Sequence, residues 1–288
     1  MLSNISYYTR PAKLSEAVNI LFKGKGEFII YAGGTSSLLM KNSKIKGFVS
    51  LRDLNLNFIK KTKNSIKIGA MTRIQELYES EIVNKFANGV ISYTASKIGS
   101  TLNRNLITVG GNLTQVFRWS DLPVTLLVLD SKLNITGKSK KSIKITDFYL
   151  KHPKVILKPW DIVTDVEVKE PKGQYGVSFI KFSKTEFDYA LIDVAVFLKI
   201  SNNKISDIRI AYGSIGTLPF RLYKLEQEFK NKQITENTGN EIAEMSKRLI
   251  KPAGDFRISK DYQKKITGVI TKRAFEICLE QMGIKQEA

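Results

Sequence analysis

Two glycine doublets are the residues of this 288-residue chain best suited to chemistry. Gly33-Gly34 and Gly110-Gly111 each follow a segment that reads as a strand, and each is flanked by hydroxyl or amide side chains: Thr35, Ser36 and Ser37 at the first, Thr108 and Asn112 at the second. Glycine pairs let the backbone approach an anion closely and present successive N–H groups to it. The side chains add further donors. Two such loops from separate subdomains suit the two phosphates of a dinucleotide, although an ordinary tight turn explains either doublet alone.

Other chemistries lack their residues. One cysteine, Cys278, removes disulfide frameworks, iron–sulfur clusters and thiolate zinc sites from this chain alone. One histidine, His152, excludes a His-rich metal centre, and its Pro153 neighbour in a basic stretch marks a surface loop. Gly24-Lys25-Gly26 has Ile29 where a third glycine would complete a Rossmann fingerprint, and no P-loop motif occurs. Asp161 and Asp165 flank a strand and read as loop and surface groups. A chain this poor in reactive side chains borrows its chemistry from a cofactor or performs none.

The charge is unusual, with 46 basic against 27 acidic residues and a formal net charge of +19. The excess is spread along the chain, with dense stretches from Lys41 to Lys67 and from Lys132 to Lys158. No zinc-finger spacing, RNP-like aromatic motif or basic-region heptad accompanies it, so a nucleic-acid partner is not expected. A general lysine bias, or a surface that meets acidic partners, accounts for the charge. No apolar run approaches the roughly 18 residues of a membrane span. The N-terminal residues lack the features of a signal peptide, so a cytoplasmic protein is the expectation.

The elements that position the doublets follow from periodicity. Leu14, Ala17, Val18 and Leu21 recur at helical spacing, and Phe28–Ala32 and Gly47–Leu51 read as buried strands. Strand–turn–helix–strand is an α/β beginning. Ser65–Ala70 reads as a strand, Arg73–Asn88 as a helix, Ile107–Leu113 as a second glycine turn, and Lys132–Thr136 and Ile156–Val168 as strands. Val177–Phe182, Ile192–Ile200 and Ile205–Tyr212 form a meander with a hairpin turn at Ser201–Lys204. Helical pattern then runs from Tyr223 to Arg248 and from Lys260 to Met282.

Together these segments resemble the FAD-binding subunit, or domain, of molybdenum hydroxylases, the family of xanthine dehydrogenase and aerobic carbon monoxide dehydrogenase. Tyr8-Thr9-Arg10-Pro11 to Glu16-Ala17 is similar to the family's opening, Ala32-Gly33-Gly34-Thr35 to its AGGT loop, and Ile68-Gly69-Ala70-Met71-Thr72 to its IGA-x-T strand. Arg104–Asn112 is similar to RN-x-A-T-I-GGN. Asp188-Tyr189-Ala190, Gly213-Ser214 to Pro219-Phe220-Arg221, and Asp255-Phe256-Arg257 to Tyr262 carry the likeness through the last region.

The resemblance implies an α+β chain: an α/β subdomain (1–55) and an antiparallel-sheet subdomain (56–172) that hold FAD between them, then a strand-and-helix subdomain (173–288). It implies that Ala32, Gly33, Gly34, Thr35, Ser36, Ser37 and Leu38 wrap the pyrophosphate and ribityl chain. Thr108, Val109, Gly110, Gly111 and Asn112 would bind it from the second subdomain. Ile98 would pack near the adenine, and Asp121, with Ser120 beside it, would contact the flavin end. Ile162 and Lys181 would contact the isoalloxazine, and Tyr189 would approach it. No residue is expected as an acid–base catalyst. Iron–sulfur and molybdopterin groups are expected only on a small and a large partner subunit of a hetero-oligomer. A stand-alone flavin oxidase and a basic binding protein that has lost FAD are the rivals.

The chain departs from the family pattern at Val116-Phe117-Arg118-Trp119-Ser120-Asp121, where relatives carry a small-residue stretch before the acid. Ser183-Lys184-Thr185 stands where paired arginines are common, and Tyr262-Gln263-Lys264 replaces Y-R.

Overall fold

The computed structural model describes residues 5–40 and 42–284; Lys41 of the basic stretch falls outside them. The first region holds β1 (Tyr7–Thr9), β2 (Phe28–Tyr31) and β3 (Gly47–Ser50), a parallel sheet in the order β1-β3-β2. The helix Leu14–Lys23 is the crossover from β1 to β2. It buries Ala17, Val18 and Leu21 and ends at Gly24, whose N–H donates back to the Ile20 carbonyl while that of Lys25 donates to the Phe22 carbonyl.

The second region contributes β4 (Ile59–Lys61), β5 (Ser65–Gly69), β6 (Lys132–Thr136), β7 (Lys140–Lys144) and β8 (Ile162–Lys169), an antiparallel sheet in the order β4-β5-β8-β6-β7. The third contributes β9 (Tyr175–Phe182), β10 (Ile192–Ser201), β11 (Lys204–Gly213) and β12 (Phe220–Arg221) in the order β12-β11-β10-β9. Asn202 and Asn203 both take left-handed backbone in the turn joining β10 to β11, the geometry that a two-residue hairpin favours.

Short helices between residues 74 and 128 form a layer between these two antiparallel sheets. One core runs through the layer, joining Ile66, Val166 and Val168 of the five-stranded sheet to Val177, Phe179, Phe197 and Ala211 of the four-stranded one. The central helix, Leu122–Val128, is buried on every side and packs on β10 and β11. Strand alternation turns Val194, Val196 and Leu198 to the opposite face of the four-stranded sheet. There the long helix Lys260–Gln281 covers them, backed by Thr238–Leu249.

Several sequence expectations are corrected. Arg73–Asn88 is broken at Ser80, which caps a new turn by accepting from the Val83 N–H. Residues 153–156 form a helical turn, so the strand begins only at Ile162. The helical stretch from Tyr223 divides into Tyr223–Phe229 and Thr238–Leu249, with Asn231 in left-handed backbone between them. The second glycine doublet follows no strand: a helical turn at Thr101–Arg104 precedes it, and it lies inside the helix Val109–Thr114.

Candidate functional site

A cleft of about 990 Å³ opens between the loop after β2 and the second region, and residues of the third region close one end. That volume lies at the top of the range of about 300–1,000 Å³ typical of small-molecule sites. Ala32, Gly33, Gly34, Thr35, Ser36 and Ser37 form one wall. Thr108, Gly110, Gly111 and Asn112 form the facing wall; Ser120, Asp121 and Lys181 stand at the closed end with Ile98, and the exposed Tyr189 lies at the mouth.

The loop after β2 meets the second region without clearance. A β-carbon on Gly33 would fall 1.8 Å from the Leu106 carbonyl oxygen. Gly34 turns the chain with φ of 76°, a conformation costly for any side chain. Among the described residues, the backbone N–H groups from Gly33 through Ser37 have no hydrogen-bond partner in the protein. Five consecutive free donors lining a cleft are what a diphosphate requires.

The second doublet works differently from the reading as a second anion loop. The Val109 N–H donates to the Thr72 carbonyl at 2.9 Å, and that of Gly110 to the Ala70 carbonyl at 2.8 Å. The Gly111 N–H donates to Thr108 Oγ1 at 3.2 Å, and that of Asn112 to the Thr108 carbonyl at 2.9 Å. None is left over for a ligand. Gly110 instead permits close packing: a β-carbon there would lie 2.7 Å from the Ala70 Cβ. What this wall offers the cleft is the open face of Gly111 and the Asn112 side chain, whose Oδ1 is buried without a partner.

At the closed end the side chains of Asp121 and Lys181 are both 6% exposed, and the ammonium lies 3.6 Å from Asp121 Oδ2. The same ammonium donates to the Lys97 carbonyl at 2.8 Å. Burial pushes the Asp121 carboxyl up to about 6, against the opposing pull of Lys181. Its Oδ1 is buried without a donor. Ser120 Oγ accepts from the Phe117 N–H at 3.0 Å and fixes the turn before the acid.

Three expected contacts lie elsewhere. Ile162 is fully buried among core residues of the first region, and Val109 is buried in the helix layer, because both face the core side of their elements. Leu38 is 43% exposed and folds back over Gly34 rather than lining the cleft. Ile98 does line the cleft, next to Lys97, whose carbonyl Lys181 grips.

Sequence reasoning missed other residues. Asp161, read as a surface group, is 6% exposed, lines the cleft, and accepts from Lys141 Nζ at 2.7 Å and the Lys158 N–H at 3.0 Å. Asp193 is wholly buried beside Asp121; its signal was a carboxylate at the head of an apolar run, Val194–Leu198. His152 is exposed, and its Nδ1 accepts from the Lys154 N–H at 3.2 Å, a helix-capping role.

The bulky stretch before Asp121 builds one side of the cleft mouth. Phe117 and Trp119 stack with centroids 5.3 Å apart, and Trp119 meets Tyr189 at 4.8 Å. Arg118 between them turns away, donating to the Ser214 carbonyl at 2.7 Å and pairing with Asp255 at 3.7 Å. Arg257 lies 5.8 Å from the Trp119 ring centre.

An interdomain cleft with a free donor array on one wall and a buried acid–lysine pair at its end defines a dinucleotide-binding protein. The particular kind follows from comparison with known families. Residues 3–171 match the FAD binding domain in molybdopterin dehydrogenase, and residues 178–277 match the CO dehydrogenase flavoprotein C-terminal domain. The chain belongs to this family of FAD-binding medium subunits. It is 30% identical over 274 residues to the glyceraldehyde dehydrogenase medium chain of Sulfolobus acidocaldarius, covering 93% of this chain and 96% of that one. It is 26% identical over 286 residues to the xanthine dehydrogenase FAD-binding subunit of Escherichia coli O157:H7, covering 96% and 97%. A chain of the carbon monoxide dehydrogenase of Hydrogenophaga pseudoflava, solved in a form lacking the Mo-pyranopterin moiety, has the same fold. Its TM-score is 0.91 at 23% identity, covering 98% of this chain and 99% of that one.

Proposed function

We propose that the chain is the flavin subunit of a molybdenum hydroxylase complex. In that role it takes electrons from iron–sulfur clusters on a small partner subunit and delivers them to an external acceptor, while a large molybdopterin subunit oxidises the substrate. The observation that carries this reading is the run of free N–H groups from Gly33 to Ser37, set across a cleft from the Asp121–Lys181 pair.

FAD would supply the redox chemistry; the protein's contribution is position and electrostatics. The Gly33–Ser37 donors would hold the diphosphate, with the Asn112 amide facing them. Asp121 and Lys181 would orient the flavin end, since a buried carboxylate accepts from ring N–H groups and an ammonium donates to ring carbonyls. Tyr189 and Trp119 would narrow the approach from solvent.

An aldehyde is the first substrate to try, because the glyceraldehyde dehydrogenase medium chain is 30% identical. Carbon monoxide, a purine or an aromatic acid are the next. The +19 surface would serve assembly, where complementary charge speeds and orients an encounter more than it tightens it. Co-expression with candidate iron–sulfur and molybdopterin subunits, followed by anaerobic substrate addition, tests the reading. Bleaching of the flavin absorbance in the complex, and not in the isolated chain, is the expected result. Recovery only as a monomer that turns over substrate by itself would overturn it.

A further inference from the structure

Asp193 is the second residue of β10, with its side chain on the face that meets the helix layer, the face shared with Ala195 and Phe197. Its cross-strand neighbours are Lys181 on β9 and Gly213 on β11. It is 0% exposed, and neither carboxyl oxygen receives a hydrogen bond from any described N–H or O–H. Room for it comes from Gly213, where a β-carbon would lie 2.9 Å from Asp193 Oδ2 and 2.9 Å from the Val124 side chain.

The polar group beside it is the Asp121 carboxyl: Asp193 pairs across the strands with Lys181, whose ammonium lies 3.6 Å from Asp121 Oδ2, and the two carboxyls are electrostatically linked. Two carboxylates have only acceptor atoms, so a hydrogen bond between them requires one to carry a proton. Lys181 stands 3.6 Å from Asp121, which favours the ionised form there. Asp193 has no such contact and is the deeper of the two. The charged groups around the pair are therefore few: Asp121 itself and Lys181 from β9, while β11 presents Gly213 and the helix Leu122–Val128 presents Val124.

We infer that Asp193 is held as a neutral carboxylic acid that donates its proton to Asp121, so that a carboxyl pair and Lys181 together position the Asp121 carboxylate at the end of the cleft. Asp193 is thus a positioning residue, acting through Asp121. Burial and the Asp121 charge both hold the Asp193 carboxyl well above the usual carboxylate range. The arrangement leaves one carboxylate against one ammonium, a neutral unit where two carboxylates would have imposed a net negative charge. The role toward the flavin rests on the FAD reading above; the shared proton does not.

Infrared spectroscopy of the full chain, with and without FAD, tests the proton directly. A protonated-carboxyl C=O band should persist into mildly alkaline pH, shift in D2O and vanish in Asp193→Asn. Absence of the band in the wild-type chain, or its survival in Asp193→Asn, overturns the inference. FAD titrations across pH test the positioning role. Asp193→Asn keeps a donor toward Asp121 and should bind FAD as wild type does. Asp193→Leu has none, so FAD binding should weaken about tenfold, the usual scale for an unsatisfied buried polar group. The pH midpoint of binding should rise as well, because Asp121 loses a bond that favours its ionised form. Equal weakening at every pH would reduce Asp193 to a packing role. If the band is present and no variant binds FAD, the shared proton stands and the FAD reading falls.

Discussion

Gly33 touches Leu106 so closely that the Leu106 carbonyl oxygen occupies the place where any other residue would carry a side chain. This contact clamps the free N–H array of the first region onto the second. Gly33→Ala should separate the two walls and release the cofactor, with a stability cost of about 1–3 kcal/mol from overpacking. The flavin-to-protein ratio after gel filtration, together with a denaturation curve, measures both. A variant that keeps stoichiometric FAD would show that the clamp is dispensable.

FAD should bind more tightly than FMN. The free donors from Gly33 to Ser37 suit a diphosphate, and FMN offers them one phosphate. Equilibrium titration with each flavin decides it, and equal or tighter FMN binding would sink the reading of this loop as a diphosphate cradle.

Gly111→Val should abolish flavin retention while leaving far-ultraviolet circular dichroism intact. A β-carbon at this position meets only Thr108 Oγ1, at 2.9 Å, so the new side chain disturbs a helix cap and projects along the cleft wall. Losing a cap costs about 1 kcal/mol, too little to unfold the chain.

The apoprotein should become less stable as pH rises from about 4 to about 6. Asp121 is raised from 3.8 to about 6 in the folded state, and Asp193 is raised further. The folded chain therefore binds more protons than the unfolded one across that window, and stability falls as pH passes through the folded value. Asp121→Asn should flatten this part of the profile in urea titrations. A slope unchanged by the substitution would assign it to other groups.

Cys278 should resist thiol reagents until the protein unfolds. Its side chain is fully buried, contacts Ser178 Oγ and the Val196 carbonyl at 3.4 Å, and burial pushes its thiol up to about 12. Rapid labelling of the native chain would contradict this.

The first wall of the cleft was legible in sequence as a glycine turn rich in serine and threonine, although the strand before it, expected to be buried, is half-buried. The second wall misled. Gly110-Gly111 has the same spelling as Gly33-Gly34, yet its N–H groups are consumed by Ala70 and Thr108, and no local pattern distinguishes a donor array from a packing contact. Ile162 and Val109 sit within expected stretches but face the core, a consequence of strand and helix phase that a motif does not encode. Strands with clear alternation, such as β9 to β11, were placed well. Of the helix layer only Arg73–Asn88 was read as helical; the rest escaped notice because its helices are short and their caps, such as Ser100, come from residues common in any loop.

The helix layer also decides how this chain can be recombined with others. In sequence, a seam at Lys172-Gly173 invites the exchange of one half for a relative's. In space, Val177, Phe179, Phe197 and Ala211 from beyond the seam complete the core of the half before it, while the other face of the same four strands belongs to the C-terminal helices. A transplant cut at the seam would therefore expose the inner sheet face to a stranger's helices. The line along which parts exchange cleanly runs through the thickness of the β9–β12 sheet, with inner-face residues staying with the recipient and outer-face residues travelling with the graft.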